Sequence, residues 1–197
     1  MAKDTKIRLL ESALEVFARE GYERANIKDI ADNIGLVKSA VYKHFESKEA
    51  IWNAVIAMMK EYYENNFANE ERAHYSPKST NELYEMTVNM VNFTIHDKKV
   101  IAIRKIFTIE QYRSEEIRDY ASNYFLYITE DRFTRIFETM MDNGVIKRVD
   151  PRILAFSYTT PITALIHLCD RDPQREKESF ERLEAFVKLF IQEYGIK

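Results

Sequence analysis

Residues 26–45 read NIKDIADNIGLVKSAVYKHF. Ile27, Ile30, Ala31 and Ile34 recur at helical i, i+3, i+4, i+7 spacing, so one stripe of this segment is predicted to face inward. Leu36, Ala40, Val41 and Phe45 form a second apolar set. Between the two sets, Ile34-Gly35-Leu36 breaks the period. Gly35 can take a positive φ that other residues resist, so the chain can turn sharply there. Two short helices joined by a turn of this kind form a helix-turn-helix. The second helix is expected from about Val37 to His44, and in versions that bind DNA that helix enters the major groove.

The polar residues of the second helix suit such a role. No Asp or Glu lies between Asn33 and Phe45, and Lys38, Ser39, Tyr42, Lys43 and His44 point outward, with Lys48 just beyond. Lys and Arg neutralise phosphates and release counterions, the main source of affinity for DNA. Ser39 and Ala40 are small enough for the backbone to approach base edges, and a phenol such as Tyr42 can donate to a phosphate oxygen. With Asn26 and Lys28 on the preceding helix and Val37 at the entry to the second, these are the candidate DNA-contacting residues. The plainer alternative is a solvated basic face on an ordinary helical hairpin.

The first fifty-odd residues resemble the DNA-binding domain of TetR-family transcriptional regulators. The resemblance rests on Ile7 to Phe17 (IRLLESALEVF), Glu20-Gly21-Tyr22, Ile27 to Ala31 (IKDIA), Gly35-Leu36, Val41 to Phe45 (VYKHF) and Ser47-Lys48-Glu49. The remainder of the chain is similar only in layout. Two positions depart from the family's usual pattern: Asn26 stands where many relatives have Thr, and Val37 where many have Ser. Asn caps a helix as well as Thr does, whereas Val cannot cap, at a cost of ~1 kcal/mol.

Composition sets outer bounds. Hydrophobic residues make up 46% and charged residues 31%, as in an ordinary folded protein, while Gly and Pro number only four each. Long periodic segments with few breakers predict an all-α fold with short connections. The net charge of −3 excludes a polycation, so affinity for DNA has to come from a local patch, placed at Lys38, Lys43 and Lys48. The single cysteine, Cys169, excludes an internal disulfide and lies in an apolar stretch. No run approaches the length of a membrane span, and Met1 to Thr5 lack a signal-peptide core, so a cytoplasmic protein without membrane contact is expected.

Helix one is expected from about Asp4 to Glu20, with Ile7, Leu10, Leu14 and Phe17 inward and Gly21 as a left-handed stop. Ser47 caps the next long helix, in which Ile51, Val55, Met58, Met59 and Tyr62 recur at helical spacing. Glu71-Arg72-Ala73-His74 has the Glu-x-x-His spacing of carboxylate-bridged metal bundles, but no second copy exists; no metal or cofactor is expected. Ser79 and Glu82 read as a capping box opening a helix with Leu83, Met86, Met90 and Val91 inward. An apolar helix, Val100 to Ile109, follows Lys98-Lys99. Ser114 caps one long helix to about Asn143, which Gly144 ends. Asp150-Pro151 and Asp172-Pro173 each place an N-cap before a helix-opening proline, and Pro161 is expected to kink the helix it interrupts. The fold predicted is an all-α, TetR-like one of about nine helices: a three-helix DNA-binding domain over 1–47 and a bundle of about six helices over 48–197.

Two further functions are expected of the second domain. The last two helices carry apolar stripes, Ile162, Leu165, Ile166 and Cys169 on one, Leu183, Val187 and Phe190 on the other. These suit a four-helix bundle between two copies, as the resemblance implies, or the chain's own core. The middle of the chain is rich in aromatics and methionine with polar groups interspersed. Met90, Phe93, His96, Phe107, Gln111, Tyr112, Tyr120 and Tyr124 are the candidate lining of a pocket for a small, largely apolar effector. No nucleophile–base pair or doubled metal motif supports an enzyme. The expected activity is therefore that of a homodimeric regulator, most simply a repressor. It would bind a palindromic double-stranded operator and be released by its effector. A DNA-binding blocking or architectural protein that needs no effector is the alternative.

Overall fold

The computed structural model describes residues 2–67 and 75–196. The Glu71-x-x-His74 spacing lies outside the described residues. Helix α1 is Ala2–Arg24, α2 Ile27–Asp32, α3 Lys38–Val41, α4 Lys48–Phe67, α5 Thr80–His96 and α6 Lys98–Glu110. Then come α7 Glu115–Ser122, a π-helical stretch Asn123–Tyr127, α8 Ile128–Asp142, α9 Pro151–Arg171, a 3₁₀ turn Pro173–Arg175 and α10 Glu176–Tyr194. Among the described residues the only extended pairing is an isolated bridge between Ile146 and Gly195. The chain divides into two compact units. One gathers α1 to α4 with Lys98–Tyr120; the other gathers α5 with the chain from residue 121 onward. The first is thus larger than the 1–47 segment read from the sequence, because α4 and α6 pack on α1.

In the first unit, α1 buries Leu9, Ala13, Val16 and Phe17 without residual exposure. This corrects the expected stripe. Ile7 is 48% exposed and Leu10 half-buried, because the apolar band is wide enough to be read in two phases and tertiary packing selects Leu9. Ser12 Oγ donates to Ile30 O at 2.8 Å, joining α1 to α2. Phe17 meets the Trp52 ring edge-on at 5.0 Å, and Tyr22 lies 5.1 Å from Trp52, so α1 and α4 share an aromatic cluster. Gly21 is not a left-handed stop: its φ of 74° and ψ of 168° lie in a region essentially reserved for glycine, and the helix resumes to Arg24. The buried Glu110 of α6 explains the kink, since its Oε1 accepts Tyr22 N–H at 2.8 Å. Lys99–Glu11 at 2.9 Å joins α6 to α1, and Lys60–Glu116 at 3.3 Å joins α4 to α7.

In the second unit, α5 buries Leu83, Thr87, Val91 and Ile95, a strict i, i+4 row. Met86 and Met90 are only half-buried beside it. Thr87 Oγ1 pairs with the Tyr158 hydroxyl at 2.7 Å inside a ring cluster of Phe133, Phe137, Tyr158 and Phe190. Ser79 caps α5 as expected, accepting Glu82 N–H at 3.1 Å. Glu82 does not complete the box, however: its Oε2 accepts Lys78 N–H at 2.9 Å, one residue earlier. The single helix expected from Ser114 is α7, the π-helical stretch and α8 in succession. Gly144, with φ 68°, ends α8 through Gly144 N→Met141 O and Val145 N→Met140 O, the paired bonds of a glycine cap. Asp150 accepts from Arg152 N and Ile153 N, and α9 runs on through Pro161. Asp172 caps a 3₁₀ turn, so α10 begins at Glu176.

Two glycines permit a discriminating test. A Cβ on Gly21 would lie 2.7 Å from Glu110 Oε1, whereas one on Gly35 meets nothing within 4 Å. Gly21→Ala is expected to lower the unfolding free energy by ~3 kcal/mol, strain and collision acting together, and Gly35→Ala by only ~1 kcal/mol, both read by urea denaturation. Tyr158 supplies a second test. Burial pushes its phenol well above the ordinary value of 10.0, with the Thr87 hydrogen bond opposing. The unfolded phenol ionises near that ordinary value while the folded one keeps its proton, so this contribution is whole below about pH 10 and is lost as pH rises further. Tyr158→Phe is expected to flatten the fall in stability between about pH 9 and about pH 11.

Candidate nucleic-acid interface

Asn26, extended at φ −114° and ψ 136°, opens α2 by accepting Lys28 N–H at 2.9 Å. Ile27, Ile30 and Ala31 then face the core. Gly35, with φ 72°, closes the helix: Gly35 N donates to Asp32 O at 3.1 Å and Leu36 N to Ala31 O at 2.9 Å. This is the same glycine cap that ends α8, and it sets the sharp turn expected from the sequence. Val37 is extended and makes no side-chain cap, as its chemistry requires. The second helix is shorter than expected. Its α-helical part is Lys38–Val41, and the chain continues to Phe45 through Lys43 N→Ala40 O and His44 N→Val41 O. An uncapped start gives a long helix no support, and the burial of Val41 and Phe45 draws the segment into a tight turn instead.

That turn leaves Val37 (69% exposed), Lys38, Ser39, Tyr42 and Lys43 facing solvent, with Ala40 and His44 half-buried and Asn26 and Lys28 exposed on α2. Residues 37–44 offer ammonium, hydroxyl, phenol and imidazole groups and no carboxylate. Such a surface can receive an anion and a base edge together. Lys48 does not share that orientation. Its Nζ donates to Glu23 O and Ala25 O, both at 2.9 Å, and stands 4.7 Å from the Tyr22 ring centre. An ammonium beside two unpaired carbonyls at a helix end is held there by charge-assisted bonds, so Lys48 fastens α4 to the end of α1. Two cations beside the turn escaped the sequence analysis. Lys6 Nζ lies 5.3 Å from the Phe45 ring centre, and Arg8 Nη2 donates to Ile34 O at 3.3 Å. The correct phase of α1, with Leu9 and Ala13 inward, would have exposed them.

Residues 9–55 match the family profile described as bacterial regulatory proteins, tetR family. The match is confined to this N-terminal module. Over 66 residues the chain is 38% identical to the uncharacterized HTH-type transcriptional regulator TtgW of Pseudomonas putida, a match that covers 34% of this chain and 49% of that protein. The chain thus spans about half the length, or less, of the curated relatives it matches. Solved structures extend the likeness in fold to nearly the whole chain. A Saccharomonospora viridis protein in complex with choline superposes with a TM-score of 0.70 at 20% identity, over 99% of this chain and 100% of that one. A triclosan complex of SmeT, the multidrug efflux pump repressor of Stenotrophomonas maltophilia, gives 0.67 at 19% identity over 98% and 93%.

Beyond residues 9–55, the other sequence-derived sites divide between the two units. Phe107, Gln111, Tyr112 and Tyr120 belong to the first, and Met90, Phe93, His96 and Tyr124 to the second. Phe107 and Tyr124 are buried, while Met90, Phe93, Gln111 and Tyr120 are half-buried. Tyr112 is 90% exposed, an orientation that removes it from a pocket wall. The His96 ring is held between Asn92 O at 2.9 Å and Glu176 Oε1 at 3.1 Å. The residues of the apolar seam lie inward: Ile162, Leu183, Val187 and Phe190 are at most 5% exposed and pack in the chain's own core. Leu165, Ile166 and Cys169 are half-buried against the same core. The large apolar side chains of α9 and α10 that face outward are Ile153, Phe156 and Leu189. Periodicity alone cannot tell an inner seam from an outer one.

Lys48→Met keeps the aliphatic stem and deletes both carbonyl bonds. It is expected to lower the unfolding free energy by ~1–2 kcal/mol, measured by urea denaturation.

Proposed function

We propose that the chain is a homodimeric, DNA-binding transcriptional regulator, acting as a repressor, whose hold on a palindromic operator is released by a small, largely apolar effector. The observation that carries this reading is the acid-free turn over residues 37–44, exposing Lys38, Ser39, Tyr42 and Lys43 within a TetR module. Lys43 and Lys38 would neutralise phosphates, Tyr42 would donate to a phosphate oxygen, and Ser39 with Ala40 would approach base edges. Lys6 joins the cationic rim. Lys48 supports the module from within.

One such module grips too little DNA to be selective, and two related by a two-fold axis read two half-sites. Ile153, Phe156 and Leu189, exposed on α9 and α10, supply the apolar contact expected of the second copy. Release follows if the effector binds better to a state in which the modules no longer fit successive grooves. Contacts inside the first unit favour this route. Phe107 and Glu110 share α6, and Glu110 grips the end of α1 through Tyr22 N–H, so a shift of α6 pulls on the module. SmeT with triclosan and the S. viridis protein with choline supply the precedent for small ligands on this fold.

Fluorescence anisotropy on a duplex bearing the selected operator, repeated across salt concentrations, tests the DNA contact. Lys38→Ala and Lys43→Ala are each expected to lower the salt slope by about one, whereas Tyr42→Phe weakens binding with the slope unchanged. Slopes unmoved by both lysine changes would refute the interface. Phe156→Asp is expected to convert the dimer to monomer in sedimentation and to weaken operator binding at least tenfold; a variant that stays dimeric would relocate the contact.

A further inference from the structure

The aliphatic residues of the segment 34–44 are Ile34, Leu36, Val37, Ala40 and Val41. Val41 is fully buried and Ile34, Leu36 and Ala40 are half-buried; Val37 alone faces solvent, 69% exposed. Its position also suits its chemistry poorly. Residue 37 precedes α3, where a Ser, Thr, Asp or Asn side chain would accept an N–H of the first turn, and Val37 makes no such bond. Neither packing nor capping therefore accounts for an isopropyl group there. The backbone beneath it is nonetheless fixed. Val37 is extended at φ −83° and ψ 149°, its carbonyl accepts Ala40 N–H at 2.9 Å, and the buried Val41 and Phe45 pin the rest of the turn. A β-branched side chain has few rotamers, so an isopropyl group on a fixed backbone loses little freedom when it is covered.

We infer that Val37 reads a thymine: its methyl groups pack on the C5-methyl group at the major-groove edge of one base in each half-site. The inference rests on the DNA-binding reading and adds to it the one base that an apolar group can recognise. Charge decides what covers Val37. Lys38 follows it directly, Lys43 lies on the same segment, and residues 34–44 carry no carboxylate, so the surface suits a polyanion. An isopropyl group within that surface has to meet an apolar feature of the polyanion. In the major groove of DNA the thymine methyl is that feature, since the other bases present donors and acceptors there. Position agrees, because the leading residues of a helix inserted in the major groove are those that reach base edges. Of the exposed neighbours at that end, Ser39 can donate or accept and so discriminates poorly, while Lys38 is drawn to phosphates. Val37 has no polar side-chain atom and can answer only to a methyl group, a selectivity that a capping Ser would not supply.

Deoxyuridine isolates the contact, because it lacks only the methyl group of thymidine. Thymines of the operator selected by the full chain are replaced by deoxyuridine one position at a time, in both half-sites together, and binding is followed by fluorescence anisotropy. Replacement at one position is expected to weaken wild-type binding by about ten- to twentyfold, or about fourfold for each methyl group withdrawn from an apolar contact. Val37→Ser is expected to bind the thymine and deoxyuridine operators of that position about equally. It is expected to keep the wild-type salt slope, since no charge is changed. Because Ser caps a helix start, the variant is expected to unfold at an equal or higher temperature, which shows that its fold is intact. Val37→Ile, still apolar, is expected to retain the preference for thymine. The inference is overturned if no deoxyuridine replacement weakens wild-type binding. It is also overturned if Val37→Ser keeps the preference for thymine, which would give the methyl contact to another side chain. Both of those results leave a protein that selects its operator. A protein with no preference for any duplex would instead remove the DNA-binding reading itself, and this inference with it.

Discussion

A carboxylate taken out of water must find donors, and Glu110 finds the backbone N–H of Tyr22 at 2.8 Å and the Arg113 guanidinium at 3.7 Å. The bond closes only because residue 21 has no side chain; a methyl group there would stand 2.7 Å from the same oxygen. The end of α1 is therefore bent around Glu110 and fixed to α6. Its redirected carbonyls at residues 23 and 25 then receive the Lys48 ammonium, which places the start of α4. The Phe17, Tyr22 and Trp52 rings fill the angle between α1 and α4. Each of these contacts presupposes the kink.

The helix-turn-helix depends on the same anchoring. Six residues of α2 and four of α3 are far too few to be helical by propensity. Ser12 holds the Ile30 carbonyl from α1, Arg8 holds the Ile34 carbonyl, and Val41 and Phe45 close beneath. A segment pinned from below by side chains of α1 is free to devote its outer side chains to another molecule. Whatever moves α1, through Glu110 above all, therefore moves the exposed face with it.

Local chemistry made part of this legible. Gly35 and Gly144 announce glycine caps, Asp150-Pro151 announces a helix start, and Asn26 announces another, because each acts within a few residues of itself. The exposed lysines and Tyr42 were readable for the same reason. Interactions that close across the fold were not. The Glu110–Tyr22 bond spans 88 positions, and neither residue differs in type from its neighbours in a way that signals the pairing. Lys48 looked like a surface cation because nothing local shows that two carbonyls wait beside it. Ile162, Leu183, Val187 and Phe190 obey one period whether they meet their own chain or a copy, and only packing shows that they meet their own.

The outward face of residues 37–44 is proposed to meet duplex DNA in two symmetric copies. Selection of bound duplexes from a random pool by the full chain, followed by sequencing, addresses this most directly. The expected result is enrichment of one short motif in two inverted copies, their centres about one helical turn, ~34–36 Å, apart. A recovered pool indistinguishable from the starting pool at modest ionic strength would contradict it.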